Sequence, residues 1–257
     1  MQSWPGIVHG GCLVALVDAA AARLGRPAGP RRLDGRLTSS VPTETALDLE
    51  ADRSDDAVGL SVLQDGHVLT SGTVSGLDAT LAAPAPWWGG GEGLALPMSE
   101  DCLACGAVNP LGLQVGLAFD DEGVWARLEP REPWLLPDGH VHPALAPVLL
   151  DEVAWWLGAL VMKEGGLTNR LAISVIEPEL PGDGVLVAAG RFDRVAPVDR
   201  KRTFWRSELA LGTAAGKVLA SASIVFRGGA DYSAPQMAYF RPRTPVDVFR
   251  RMFPNHA

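Results

Sequence analysis

Two histidine–aspartate pairs with the same spacing are the residues of this sequence best placed to do chemistry. His9 precedes Asp18 by nine residues, and His142 precedes Asp151 by nine residues. In both places the histidine ends a Gly-x-Val-His run, and the aspartate lies within an apolar stretch that reads as a helix. A carboxylate inside such a helix can serve as a general base or a nucleophile. The N–H groups at a helix start can stabilise a developing anion.

Further matching segments indicate that the pairs belong to an internal duplication. Residues 36–41 match residues 170–175, and residues 66–74 match residues 216–224, in the same order along the chain. Three ordered matches at offsets of 133, 134 and 150 residues predict two copies of one structural unit, with one loop enlarged in the second copy.

The composition is that of a globular protein and excludes several classes of function. The chain has 257 residues, 47% of them hydrophobic and 20% charged, and a net charge of −8 that disfavours nucleic acid as a partner. We expect no membrane segment, because no apolar run approaches membrane length, and no secretory signal. Three cysteines are too few for a disulfide framework. A cytoplasmic location without a cofactor is the expectation.

Each copy combines one long apolar helix with a series of short alternating strands, which predicts an α+β fold in which the sheet wraps the helices. The boundaries that we predict are 1–83 for the first unit, which lacks its opening strands, and 101–227 for the second. A Pro-, Gly- and Trp-rich linker covers 84–100, and a C-terminal tail covers 228–257.

The motifs resemble those of the hotdog-fold acyl-CoA thioesterases in their tandem, double hotdog form. Gly-Ile-Val-His-Gly-Gly at 6–11, followed by Asp18, is similar to the G-x-x-H-G-G motif and helix acid of that superfamily. Residues 102–113 are similar to the C-x-x-C-G-x-x-N-P-x-G-L opening of one branch, and Leu-Asp-Glu follows at 150–152. The resemblance implies two long central helices wrapped by a continuous antiparallel β-sheet.

The resemblance also implies a mechanism and a division of labour between the units. Gly10 is the oxyanion donor by resemblance, and the acid of a site comes from the other unit. One site would therefore combine His9 and Gly10 with Asp151. The other would combine Asp18 with Pro143, which has no N–H to donate, so we expect the second site to be degenerate.

Other residues are candidates for binding an acyl-CoA or an acyl-carrier-protein thioester. They are Gly11, Glu152, His142, Trp155, Lys201 and Arg202. Glu152 has the alternative of a solvated or salt-bridged role, since it points to a different helix face from its neighbour. Lys201 and Arg202 are the candidates for the CoA phosphates, with a solvated turn as the alternative.

Several alternatives stay open on the sequence. Cys102 and Cys105 have zinc-ligand spacing, but a second ligand pair is missing from the sequence, which favours structural cysteines and no metal. A non-catalytic acyl-thioester or hydrophobic-ligand binding protein, or a dehydratase of the same fold, are the alternatives to a thioesterase. We also expect a homo-oligomer, because Trp87, Trp88 and Trp134 would be exposed on a single double unit.

Overall fold

The computed structural model describes residues 2–26, 29–77, 87–89 and 91–257. The helices are α1 (Gly10–Arg23), α2 (Leu145–Met162), α3 (Ala230–Phe240) and α4 (Val246–Met252). The strands are β1 (Arg31–Leu37), β2 (Asp48–Arg53), β3 (Ala57–Gln64), β4 (His67–Gly76), β5 (Leu94–Ala95), β6 (Leu117–Phe119), β7 (Gly123–Leu128), β8 (His140–Val141), β9 (Gly166–Val175), β10 (Leu180–Pro181), β11 (Leu186–Pro197), β12 (Phe204–Thr213) and β13 (Val218–Gly228).

One antiparallel sheet of eleven strands joins the two copies. Its order is β2-β3-β4-β1-β9-β13-β12-β11-β7-β6-β5, so the first strand of one copy, β1, pairs with its repeat, β9. The order is symmetric about that pair for four strands on either side. Among the described residues, β5, β6 and β7 have no counterpart at the other edge. The prediction of two helices wrapped by a continuous antiparallel sheet is confirmed, and the first copy has the smaller share of the sheet.

Helix α2 is the centre of the hydrophobic core. It is apolar on all sides and packs against strands of the second copy and against α1, which is why a helix of this composition forms here. By length and mean hydropathy, 18 residues at 1.6, it could cross a membrane, so our expectation that no apolar run reaches membrane length was wrong. However, 83% of α2 is buried inside the fold, which accounts for its composition.

The two helices meet at their N-terminal ends, where glycine is a steric requirement. A Cβ on Gly11 would lie 2.4 Å from the carbonyl oxygen of Pro147 and 2.6 Å from the Cα of Val148. Both neighbours are backbone atoms of α2, so they cannot move aside as a flexible side chain would. The first turn of α1 can therefore lie directly against α2 only with glycine at this position.

The C-terminal tail covers the end of α2. Ser233 and Gln236 of α3 accept hydrogen bonds from the N–H groups of Gly165 and Gly166, both at 2.8 Å. The predicted short helix near residue 246 is α4, and Phe249 and Met252 anchor it in the core. The tail is thus an integral part of the fold.

The predicted linker is ordered against the second copy over the part that is described, since 84–86 and residue 90 lie outside the described residues. The Trp87 ring packs edge-on to Trp125 with centroids 5.7 Å apart, and the Trp88 ring lies against Gly212. Trp134 is buried. The expectation that Trp87, Trp88 and Trp134 are exposed was therefore wrong, because Trp87 and Trp88 are half-buried against strands of the second copy, and Trp134 is buried with its indole N–H donating to the Leu111 carbonyl at 2.9 Å.

We predict that Gly11→Ala destabilises the fold by about 1–3 kcal/mol or more, because the added methyl group overlaps backbone atoms of α2. The check is chemical denaturation of the variant beside Gly116→Ala, whose added methyl group meets no atom within 4 Å. Equal stability of the two variants would contradict this account of the helix contact.

Candidate functional site

The carboxylate of Asp151 lies against the N-terminus of α1, across the contact between the two copies. Its Oδ2 accepts a hydrogen bond from the Gly11 N–H at 2.8 Å and lies 3.2 Å from His9 Nδ1. Its Oδ1 accepts a hydrogen bond from the hydroxyl of Thr168 on β9 at 2.7 Å. Helix α2 of one copy thus places its acid at the helix start of the other, as the sequence predicts for this pair of residues.

His9 and Glu152 extend the cluster on the side away from Asp151. His9 Nε2 lies 3.2 Å from Glu152 Oε2, and the Cys102 thiol donates to the same oxygen at 3.6 Å. The Glu152 side chain is only 11% exposed, so the solvated alternative for this residue is wrong. Although consecutive on α2, Asp151 and Glu152 flank opposite nitrogens of one imidazole ring.

Burial and charge shift the pKa values of this cluster. Burial raises the pKa of Asp151, and the neighbouring His9 charge and its hydrogen bonds reduce that rise without cancelling it. Burial opposes protonation of His9, but hydrogen bonds to Cys102 and Glu152 outweigh it and raise the pKa of the imidazole well above its ordinary value. Burial raises the pKa of Glu152 too, yet its contacts with His9 leave that pKa below the usual range.

The N–H of Gly10 remains available to a ligand. Gly11, Cys12 and Leu13 direct their N–H groups to His9 or Asp151, whereas Gly10 donates no hydrogen bond to any residue in the described part of the chain. A Cβ at Gly10 would lie 2.8 Å from Asp151 Oδ2. Glycine therefore keeps both the carboxylate and the free donor within reach of a bound group.

A cleft of about 140 Å³ opens onto this free donor. His9, Gly10, Asp151 and Glu152 form its polar end. Its apolar wall consists of aromatic rings from both copies and the tail: Trp4, Trp155, Trp156 and Phe240. The predicted binding residue Trp155 lies in that wall, and its indole N–H donates to the Gly166 carbonyl at 2.9 Å.

The second histidine–aspartate pair does not form an equivalent site. Asp18 is buried in an ion pair with Arg31, with two hydrogen bonds of 2.8 and 2.7 Å, and Arg26 lies 3.2 Å away. His142 is exposed and does not line the cleft. Its Nδ1 accepts from the Ala144 N–H at 3.2 Å, as His9 Nδ1 does from Gly11, so the duplication persists in the backbone while Asp18 has a structural ion pair.

The predicted phosphate-binding residues lie outside the cleft. Lys201 and Arg202 are exposed in the turn between β11 and β12, where the Arg202 guanidinium stacks on the Trp205 ring at 4.9 Å. The arginine that does line the cleft is Arg227 on β13. Sequence reasoning missed Arg227 and Thr168, because an isolated polar residue in a strand carries no motif.

Comparison with known proteins agrees with the fold. No protein-family model matches the sequence, and no curated protein is significantly similar to it. Among solved structures, a hot dog fold protein from Alicyclobacillus acidocaldarius is 15% identical with a TM-score of 0.55, over 90% of this chain and 91% of that one. An acyl-CoA thioesterase II, TesB2, from Mycobacterium marinum is 14% identical with a TM-score of 0.55, over 87% and 90% of the chains.

A third similar structure has a different activity. It is a monomeric dehydratase domain from a trans AT polyketide synthase split module, 13% identical with a TM-score of 0.53, over 87% of this chain and 90% of that one. At these identities the comparisons establish the double hotdog fold alone.

We predict that Asp18→Asn lowers stability by about 3–5 kcal/mol, because it leaves the buried guanidinium of Arg31 without its charge partner. The check is a double-mutant cycle with Arg31→Met, measured by denaturation. A strong positive coupling between the two positions is expected, and additivity would contradict the structural role of Asp18.

Proposed function

We propose that the protein is a thioesterase that hydrolyses an acyl-CoA or an acyl-carrier-protein thioester in the cleft at the start of α1. The observation that carries the proposal is that Asp151 of α2 accepts from the Gly11 N–H and lies beside Gly10 on the other copy's helix, where the Gly10 N–H has no partner in the described part of the chain. A base and an anion donor therefore line the same cleft, which has an apolar wall. The solved acyl-CoA thioesterase II from Mycobacterium marinum adds support at the level of the fold.

The two groups match the needs of thioester hydrolysis. The Gly10 N–H and the dipole of α1 would stabilise the negative charge that develops on the carbonyl oxygen. Asp151 would take a proton from a water molecule as that water adds to the carbonyl carbon. Collapse of the intermediate breaks the C–S bond, and the proton held by Asp151 passes to the departing thiolate.

Thr168, Gly11 and His9 hold the base in position. They engage both carboxylate oxygens of Asp151. A side chain fixed in this way needs little reorganisation when the substrate binds. Because burial raises the pKa of Asp151, the rate should begin to rise at a higher pH than it would for a solvent-exposed aspartate. In this proposal Asp151 is the general base, and the Gly10 N–H is the donor to the developing oxyanion.

The location and partners of the protein follow as parts of the same proposal. A cytoplasmic enzyme would meet CoA and carrier-protein thioesters, and assembly into a homo-oligomer is the proposed state. Arg227 is our candidate for the first contact with the anionic carrier, since it lines the cleft on β13. Lys201 and Arg202 would contact the carrier only beyond the cleft, from their exposed turn.

We predict that Asp151→Asn reduces kcat for thioester hydrolysis by at least about a hundredfold, because the amide cannot accept the water proton. The amide oxygen can still accept from Gly11 or Thr168, so the variant should fold and bind substrate. The measurement is release of free thiol from a panel of acyl-CoAs. Asp138→Asn, at an exposed aspartate outside the cleft, is the matched control and should keep full activity.

Two results would count against this assignment. Full activity in Asp151→Asn would remove the base role from this residue. Binding of acyl-CoA by the unchanged protein without any thiol release would favour the non-catalytic ligand-binding alternative.

We also predict a preference for short acyl chains, because the cleft of about 140 Å³ is smaller than the roughly 300–1,000 Å³ of typical ligand pockets. Trp4 closes one side and contacts Trp155 and Phe240. Trp4→Ala should shift the maximum of kcat/KM toward longer chains, as measured over acyl-CoAs of increasing length. An unchanged chain-length profile would show that this aromatic wall does not limit the acyl group.

A further inference from the structure

Three potential metal ligands from distant parts of the sequence converge beside the cleft. His9, Cys102 and Glu152 each place one ligand atom within 4.8 Å of the others. The Nε2–Oε2 distance is 3.2 Å and the Sγ–Oε2 distance is 3.6 Å. His9 and Cys102 are 2% exposed, so the three groups are gathered in an enclosed space.

The thiol of Cys105 lies next to these three groups. It is close enough to Cys102 and Glu152 to lower the pKa of both and is also 2% exposed, but it is not one of the three residues whose ligand atoms all lie within 4.8 Å of one another. A tight turn brings the two thiols together: the Gly106 N–H donates to the Cys102 carbonyl at 2.9 Å, and a Cβ on Gly106 would lie 2.4 Å from that oxygen. The second ligand pair that the sequence lacks is thus provided by the fold, from His9 and Glu152.

The distances between ligand atoms match a tetrahedral zinc site. Zinc bonds of about 2.0–2.3 Å to nitrogen, oxygen and sulfur put the ligand atoms of a tetrahedron roughly 3.3–3.8 Å apart. The Nε2–Oε2 and Sγ–Oε2 separations, 3.2 and 3.6 Å, fall next to and within this range. We propose that His9, Cys102 and Glu152 bind one zinc ion, and that the neighbouring thiol of Cys105 moves in to complete the four ligands.

The surroundings of His9 complete the arrangement expected around such an ion. With Nε2 on the metal, the ring proton would be at Nδ1, which lies 3.2 Å from Asp151 Oδ2, and the Gly11 N–H would then donate to Asp151 alone rather than to Nδ1 as well. A carboxylate that accepts from a metal-bound histidine orients the ring and strengthens it as a ligand. Thr168 and Gly11 hold that carboxylate in turn.

The duplication explains why one such site forms rather than two. Ala19 stands in the first copy at the position of Glu152 in the second, one residue after the repeated aspartate. The turn that carries Cys102 and Cys105, here called the cysteine turn, belongs to the opening of the second copy. The first copy has no equivalent turn in the described part of the chain. The ligands are therefore complete only where His9 of the first copy meets the second.

Four protein ligands leave the ion no open position, which assigns it a structural role. It would tie the start of α1, the cysteine turn and α2 to one another. These are the segments that carry Gly10 and Asp151, so the ion would hold donor and base at a fixed separation. This role does not require that the cleft hydrolyse a thioester.

The test is a metal titration of the full chain, reduced and freed of metal. After addition of zinc and gel filtration, elemental analysis should find one zinc per chain. Cobalt should give a thiolate-to-cobalt charge-transfer band whose intensity corresponds to two thiolate bonds. Removal of the ion with a chelator should lower the melting temperature.

Cysteine variants distinguish this site from incidental binding. Cys102→Ser and Cys105→Ser should lose stoichiometric zinc and the charge-transfer band. Cys12→Ala is the matched control, because Cys12 is also buried near the start of α1 but lies outside the cluster, and it should retain both. Asp151→Asn should weaken zinc binding by about 10–100-fold, as expected for loss of a carboxylate partner of a metal-bound histidine.

Two outcomes would overturn the proposal. One is absence of zinc and of the cobalt band in the reduced, folded chain. The other is a cobalt band of full intensity in both cysteine variants. Stoichiometric zinc in a protein that releases no thiol from any acyl-CoA would leave this proposal standing while removing the proposed function.

Discussion

The structure depends on the close contact between the start of α1 and the first turns of α2. Gly11 lets the two backbones approach to a distance that no side chain would permit. The same contact lets a carboxylate in the middle of α2 reach the N–H groups of the other helix. A longer separation would bury the Asp151 charge without these donors, which is costly inside a protein. Packing of the helices and chemistry of the cleft are therefore set by one constraint.

Duplication gave two such contacts in principle, and the two have diverged. At one end, the start of α1 has kept its glycines and faces Asp151. Gly11 and Thr168 hold this carboxylate by hydrogen bonds, and in the described part of the chain no arginine pairs with it. At the other end a proline has replaced the donor, and Arg31 has become the partner of Asp18. A buried ion pair stabilises the fold only while both partners are present. The second acid thus contributes to the structure of the first copy.

The buried polar groups around His9 find most of their hydrogen-bond and ion-pair partners within their own cluster. Asp151 is bound on both oxygens, and His9 is flanked by carboxylates on both ring nitrogens. The contact between the two thiols lowers the pKa of Cys102 to about 7 and raises the pKa of Cys105 well above its usual value. A group of this kind, enclosed and rich in anionic ligands, is suited to a cation. The cluster also lies beside the apolar wall of the cleft, so a change in its charge or geometry would alter the binding of a ligand there.

The sequence alone determined the duplication, the two helices and the α+β class, because repeated motifs and helix periodicity are local properties. The pairing of Asp151 with His9 and Gly10 came from the resemblance to the hotdog thioesterases, and the missing N–H of proline then separated the two candidate sites. The tertiary structure decided what depends on distance between remote segments. It placed Glu152 on His9 and the cysteines rather than in solvent, gave Asp18 an arginine partner, and left Lys201 and Arg202 outside the cleft. Residues 9, 102 and 152 come together only because the sheet and the helices fold across the two copies, and no spacing in the sequence encodes that meeting.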